Sequence, residues 1–306
     1  MSPSRKTQLR THGSGVPMAV GVWLGVTLSM TGCSAGVPAA DAFFGPSIPQ
    51  GQGDAAGEPS QTESATAVFD PREGLILHYS FNETTGDAVH DFAGYSDAIV
   101  VGAPLGHEQW VAAGRVGGAL SLAGNDPPDG GTGHYVELPP GVLLGLRECS
   151  IAVWINRAGG PMWQRVFDFG SGPPVWLFFT PLGVTGLPVV AGRTPALIFV
   201  DFAAIAGAPE GQGVLRIGRP VPVSTWVHFV LTWTGDRIAV YLDGELVAET
   251  VTYGRVIPSD LGRTGQNYIG RSQFVGDPYF RGMVDELRVY DRALTASEAA
   301  QLRALE

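Results

Sequence analysis

The stretch from Trp226 to Glu249 constrains the fold more than any other part of the chain. Trp226 to Trp233 reads as one strand, Thr234-Gly235-Asp236 reverses it, and Arg237 to Leu242 returns. Asp243-Gly244 is the preferred pair for a two-residue hairpin, and Leu246 to Glu249 then forms a third run. Connections this short hold no crossover helix, so the three strands form an antiparallel meander and not a βαβ unit. The same period of two recurs elsewhere. Leu75, Leu77, Tyr79 and Phe81 alternate with Ile76, His78 and Ser80, and Cys149, Ile151, Val153 and Ile155 alternate with Ser150, Ala152, Trp154 and Asn156. The 43 Gly and 23 Pro suit a chain of many tight reversals. One helix is expected, at the C-terminal end. Thr295-Ala296-Ser297-Glu298 is a capping box, and Ala299 and Leu302 follow at helical spacing. These features predict an all-β, two-sheet antiparallel jelly-roll sandwich with a short C-terminal helix.

The first residues have a different character. Arg5, Lys6 and Arg10 precede an apolar stretch from Val16 to Met30 that is short and broken by Pro17, Gly21 and Gly25. That is the pattern of an export signal rather than a membrane span. Met30-Thr31-Gly32-Cys33 resembles the bacterial lipobox. The resemblance implies a signal peptide over 1–32, acylation of Cys33, and anchoring in the lipid bilayer through its acyl chains. Residue 34 is Ser rather than the Asp of many inner-membrane lipoproteins, which implies the outer membrane or cell surface. Residues 33–73, rich in Pro, Gly, Ala, Ser and Thr, read as a flexible tether, and 74–306 as one domain, expected to be monomeric. The net charge of −10 argues against a nucleic-acid partner. With Cys33 acylated, Cys149 has no partner for an internal disulfide and is expected to be a small buried apolar residue.

Several segments resemble the laminin-G-like, concanavalin A-like jelly roll attached to bacterial glycoside hydrolases. Leu77-His78-Tyr79-Ser80-Phe81 resembles the opening strand, Asp91-Phe92-Ala93-Gly94 the loop after it, and Gly117-Gly118-Ala119-Leu120-Ser121-Leu122 the next strand. Ser150 to Trp154, Trp226-Val227-His228 and Tyr241 to Gly244 resemble the central strands. The most specific pieces are Tyr268 to Phe274, Asp277 to Gly282, Val284 to Tyr290 and Arg292-Ala293-Leu294. The resemblance runs from about Gly74 to Glu306 and implies a non-catalytic module. The apolar, Gly/Pro-rich segment 173–213 departs from it most.

The chemistry-bearing residues point the same way. Glycoside hydrolysis needs two carboxylates facing one sugar. Asp285 and Glu286 are adjacent on a strand and so point to opposite faces. No Glu-x-Asp-x-x-Glu run appears, His107-Glu108 lacks the second His of a zinc helix, and there is no Gly-x-Ser-x-Gly elbow. Alternation puts Asp285 on one face with Met283, Leu287 and Val289, aimed at the core. A buried carboxylate needs a partner. It is either hydrogen bonded to loop amides, Arg288 or Arg292, or part of a structural Ca²⁺ site completed by Asp91, Asp97, Asn125 and Asp126. Trp154, Trp226, Phe229 and Trp233 are expected in the core and His228 to be structural. Trp163, Trp176, Phe274 and Tyr279 lie near turns, where flat rings stack on sugars, and form the candidate ligand-binding set. The expected function is a non-catalytic module on a lipid tether that binds a polysaccharide or glycan. The alternatives are a protein-interaction or structural module of the cell envelope, and an unrecognised hydrolase or lyase.

Overall fold

In the computed structural model, Trp226–Trp233 pairs antiparallel with Arg237–Leu242, which pairs antiparallel with Glu245–Val251. The meander therefore forms in the register its short turns impose. The structure describes residues 69–306 apart from 103–108, 126–132, 173–174, 184–195, 200–212, 217–220 and 252–255. Cys33 with its signal and the expected tether up to residue 68, Asp126, and most of the apolar 173–213 segment lie outside the described residues, while 69–73, expected as tether, are part of the folded unit, with Phe69 buried and the Pro71 carbonyl accepting from Tyr290. In chain order the strands are β1 (Leu75–Tyr79), β2 (Ala88–Val89), β3 (Ala98–Val101), β4 (Trp110–Val116), β5 (Gly118–Asn125), β6 (Tyr135–Leu138), β7 (Cys149–Arg157) and β8 (Phe167–Gly170). They continue as β9 (Trp176–Thr180), β10 (Ala196–Phe199), β11 (Gly213–Arg216), β12 (Trp226–Trp233), β13 (Arg237–Leu242), β14 (Glu245–Val251), β15 (Gln266–Ile269) and β16 (Tyr279–Tyr290), before helix α1 (Ala296–Leu305).

Among the described residues the strands form two antiparallel sheets. The first runs β14-β13-β12-β7-β16-β5-β4, with β1 also paired to β16, and the second runs β11-β10-β9-β8-β15-β6-β3-β2. Neighbours in each order are far apart in sequence, as in a jelly roll. The core lies between the sheets. Ile151, Val153, Phe229, Leu231, Val240 and Val284 of the first sheet meet Val136, Phe167, Phe169, Leu177, Phe179 and Ile269 of the second. Phe179 stacks on Phe229 across the gap at 4.2 Å between centroids and 16° between planes. Cys149 is a free thiol in this core, and burial raises its pKa.

The outer face of the first sheet is covered by α1. Thr295 and Glu298 close the capping box, Glu298 N–H donating to Thr295 Oγ1 at 3.2 Å and Thr295 N–H to Glu298 Oε2 at 2.7 Å. That start aims Ala299 and Leu302 at Ala152, Val230, Ala239, Tyr241 and Tyr290, with Phe69 joining from the other end of the domain. Trp233 and Phe229 are in the core and Trp226 is half-buried, whereas Trp154 faces outward and is nonetheless only 2% exposed. Its ring lies 4.4 Å beneath the Arg115 guanidinium, and its indole N–H donates to Glu306 Oε2 at 2.6 Å. His228 sits beside it, ring centroids 4.9 Å apart, and burial holds its pKa down at about 3.

Strict alternation fails at one place. On β16, Val284 pairs with Ile155 and Asp285 with Trp154, but the next pair is Arg288 with Ala152. One extra residue has entered the strand, and Glu286 takes it up at φ +52°. Phe280 and Val284 face the core before this bulge, and Leu287 and Val289 face it afterwards. Asp285 therefore points outward with Trp154, not inward with Leu287 and Val289 as the period of two requires.

Candidate functional site

Asp285 is fully buried, and its environment is backbone. Its Oδ2 accepts the amides of Arg115 and Val116 at 2.7 and 2.9 Å, fixing the tight turn between β4 and β5. Burial pushes its pKa up to about 7 against the pull of those amides. Of the alternatives in the sequence, hydrogen bonding to loop amides is the one seen. The Asp91 carboxylate accepts the amides of Ala93, Tyr95 and Ser96 within its own loop and that of His78 on β1. Asp97 accepts the Asp91 amide at 2.9 Å and meets His90 Nδ1 at 3.1 Å. Asp91 and Asp97 are thus together, and Asp285 belongs to a different turn. Asn125 is described only through its backbone pairing with Tyr279. Among the described residues no group of three or more His, Cys, Asp or Glu is placed to hold a metal ion. Ca²⁺ takes six to eight oxygens, and the described donors do not fit it.

The outward face of the second sheet is different. Its register aligns Glu137 (β6), Tyr268 (β15), Asp168 (β8) and Phe178 (β9) in one row across four strands. Trp176 lies in a neighbouring row opposite Gly170. All alternate with core residues and so must point away from the core. Two loops fold over this face. The loop between β7 and β8 brings Trp163 and Arg165, and the loop between β15 and β16 brings Arg271, Gln273, Phe274 and Asp277.

Arg165 organises the centre. Its guanidinium lies 3.7 Å from the Phe178 ring centroid and 5.4 Å from that of Trp163. Its Nη2 donates to Asp277 Oδ2 at 2.8 Å, its Nη1 to the Trp163 carbonyl at 2.7 Å, and its Nε stands 3.7 Å from Asp168 Oδ2. Both Arg165 and Asp168 have side chains at most 3% exposed. Burial draws the Arg165 pKa below its ordinary value, with Asp277 and Asp168 opposing. Burial likewise pushes Asp168 up to about 6, opposed by Arg165 and by hydrogen bonds from Gln273. The Gln273 amide donates to Asp168 Oδ2 at 3.1 Å and its side chain to Oδ1.

Above this charge cluster the structure gathers Trp163, Trp176 and Phe274, with Phe178 beneath them. Trp176 and Phe274 meet edge to face at 5.4 Å. Trp176 is only 4% exposed, so its ring is a support and not a free platform. Trp163 and Phe274 are half-buried and present surface to solvent. Trp163 is held at φ +71°, a left-handed conformation rare for a bulky side chain, by its N–H bond to the Leu182 carbonyl at 2.8 Å and by Arg165 at its own carbonyl. Tyr279 stands apart from this group, 6.0 Å from Tyr135. Tyr135 in turn meets Tyr268 edge to face at 5.3 Å. The face thus has two aromatic patches flanking a buried ionic centre. Sequence reasoning missed Arg165, Asp168, Arg271, Tyr135 and Tyr268. One signal was available: Asp168 is a lone carboxylate between Phe167 and Phe169 in a strand that is otherwise apolar.

On the first-sheet side, a groove of about 500 Å³ is lined by Leu75, His78, Phe92 and Arg288, among others. Two of its lining groups already share a carboxylate: Glu286 Oε2 meets His78 Nε2 at 2.7 Å and accepts from Arg288.

A two-sheet jelly roll with one outer face under a helix and the other bearing aromatic and charged side chains defines a lectin-type sandwich. The family model described as the concanavalin A-like lectin/glucanases superfamily matches residues 129–300, and the chain belongs to that family. A search of curated proteins finds no significant match. Among solved structures, domain 4 of AbnA, a GH43 extracellular arabinanase from Geobacillus stearothermophilus in complex with arabinotriose, superposes with a TM-score of 0.57 at 21% identity, covering 75% of this chain and 98% of that one. The botulinum neurotoxin serotype C1 binding domain gives a TM-score of 0.52 at 10% identity, covering 77% of this chain and 53% of that one. The binding domain of botulinum neurotoxin DC in complex with SialylT gives 0.51 at 11%, covering 76% of this chain and 52% of that one. The chain spans about half the length of the two neurotoxin domains, and at these identities the likeness is one of fold.

Proposed function

We propose that this domain is a glycan-binding module without hydrolytic activity, and that the outward face of the second sheet is where it binds. The carrying observation is Trp163. A large ring packed on Trp176 and Phe178 yet kept half-exposed at a strained backbone angle, with a buried arginine fixing its carbonyl, supports a role beyond packing. Sugar rings stack on such surfaces, and the likeness to an arabinanase domain complexed with arabinotriose supports the ligand class. The non-catalytic part of the reading is supported by Asp168 and Asp277, which share one arginine instead of opposing each other across an open cleft. The anchored part rests on Met30-Thr31-Gly32-Cys33, and implies display on the outer membrane or cell surface.

The test is retention on insoluble polysaccharides, arabinan included, with reducing-sugar release assayed on the same samples. Retention without release is expected, and the triple replacement of Trp163, Phe274 and Tyr279 by Ala should abolish it. Sugar release by the pure protein would overturn the non-catalytic reading, and no retention on any polymer would turn the search to a protein partner. For the anchor, Cys33→Ala should move the protein from the detergent to the aqueous phase. Unchanged partitioning would remove the lipid.

A further inference from the structure

The second-sheet face carries two arginines in opposite circumstances. Arg165 is spent: buried and paired with Asp168 and Asp277. Arg271 is half-buried, and no carboxylate among the described residues lies within ion-pair reach of it. It is nevertheless held firmly. Its guanidinium lies 4.6 Å from the Tyr135 ring centroid and 4.8 Å from that of Tyr268, and its Nη1 donates to the Tyr135 hydroxyl at 2.7 Å. Those two rings stand at 84° to each other, so together with the hydrogen bond they fix the position of the cation. The bond to the Tyr135 hydroxyl is the one hydrogen bond its guanidinium makes among the described residues.

A positioned guanidinium with no carboxylate partner among the described residues is suited to an acceptor with two coplanar oxygens, which arginine binds through parallel hydrogen bonds. Tyr135 and Tyr268, each 8% exposed, support the cation from beneath, and the half-buried Tyr279 beside Tyr135 presents surface on which a sugar ring can rest. We propose that Arg271 is the specificity residue of this face, and that the ligand is an acidic polysaccharide whose sugar carboxylate pairs with its guanidinium. This rests on the glycan-binding reading above. Glu137, exposed and directly across from Tyr268, adds a negative charge beside the site and restrains the affinity.

The experiment compares the full chain on polygalacturonate and alginate, on the carboxyl-reduced forms of both, on neutral arabinan, and on dextran sulfate. Tight retention is expected on the two uronate polymers alone, falling as salt rises. Arg271→Gln should lower that affinity about 10- to 100-fold, the range for losing a hydrogen-bonded charge pair. Arg271→Lys, which keeps the charge and loses the plane, should recover only part of it. Glu137→Gln touches an exposed position and should strengthen binding several-fold, which guards the result against a folding defect in the arginine variants. Equal retention on carboxyl-reduced or neutral polymers, or an unaffected Arg271→Gln, would overturn this inference and leave the glycan reading standing. Equal retention on dextran sulfate would show general anion attraction and overturn the carboxylate assignment. No retention on any polymer would overturn both readings.

Discussion

Replacing Asp168 with Asn should leave the domain at least as stable at pH 7.5 as the parent, although Asp168 sits beside an arginine. The reason is the balance at a fully buried carboxylate. Its pKa is pushed from 3.8 to about 6 by burial, and the nearby Arg165 only partly offsets this. The folded state therefore holds its proton more tightly than the unfolded chain does. The stability from this group is fully present below pH 4 and is lost as pH rises through 6. A shift of about two units corresponds to about 3 kcal/mol, of which about 2 kcal/mol falls between pH 4.5 and 7.5. Asn keeps an acceptor for the Gln273 amide, and Arg165 keeps Asp277 at 2.8 Å. The assay is urea unfolding of parent and variant at both pH values. Other carboxylates titrate in the same window, so the quantity to read is the double difference, which removes them. The variant should gain about 2 kcal/mol on the parent between pH 4.5 and 7.5. A variant that instead loses more than about 2 kcal/mol at pH 7.5 would show that the attraction to Arg165 outweighs burial, and would refute the reasoning.

Trp163→Gly should be about 1 kcal/mol more stable than Trp163→Ala, because only glycine occupies φ +71° without strain, while both lose polysaccharide retention. The reverse order in thermal unfolding would mean that this backbone angle is not enforced. Asp285→Ala should cost about 2 kcal/mol through the unpaired Arg115 and Val116 amides, and Asp285→Asn less than about 1 kcal/mol, since an amide oxygen still accepts both. Equal urea midpoints for the two variants would contradict that role for the carboxylate.

The fold was legible where local rules act alone. The strand from Trp226 to Trp233, its return over Arg237 to Leu242, and the capping box at Thr295 occur where alternation, turn residues and cap chemistry place them. The outward direction of Asp285 escapes alternation, which presumes an unbroken pleat, and the extra residue at Glu286 shows in the sequence only as a three-residue step from Val284 to Leu287, which Met283 disguises by extending the downstream phase backwards. The candidate face was half legible. Aromatic residues near turns pointed to Trp163, Trp176, Phe274 and Tyr279, but which of them share a patch depends on pairing β8 with β15 and β9, strands distant in sequence. Arg165 and Arg271 carry no sign of their difference in the sequence, since the carboxylate pairing of the one and the tyrosine cradle of the other arise only when the two loops meet over the sheet.

The extra residue in β16 also acts like a reading frame within the protein. Upstream of Glu286 the strand is read in one phase and downstream in the other, and both phases carry apolar residues inward. Deleting that single residue would iron out the bulge and leave Leu287 and Val289 facing the core and Arg288 and Tyr290 facing outward, whereas pairing the strand without the bulge while keeping Glu286 would turn all four to the opposite face. Along this strand the loss of one residue is absorbed at the bulge while the gain of one is not, and a paired scan of one-residue deletions and insertions would reveal an asymmetry that a scan of substitutions would pass over.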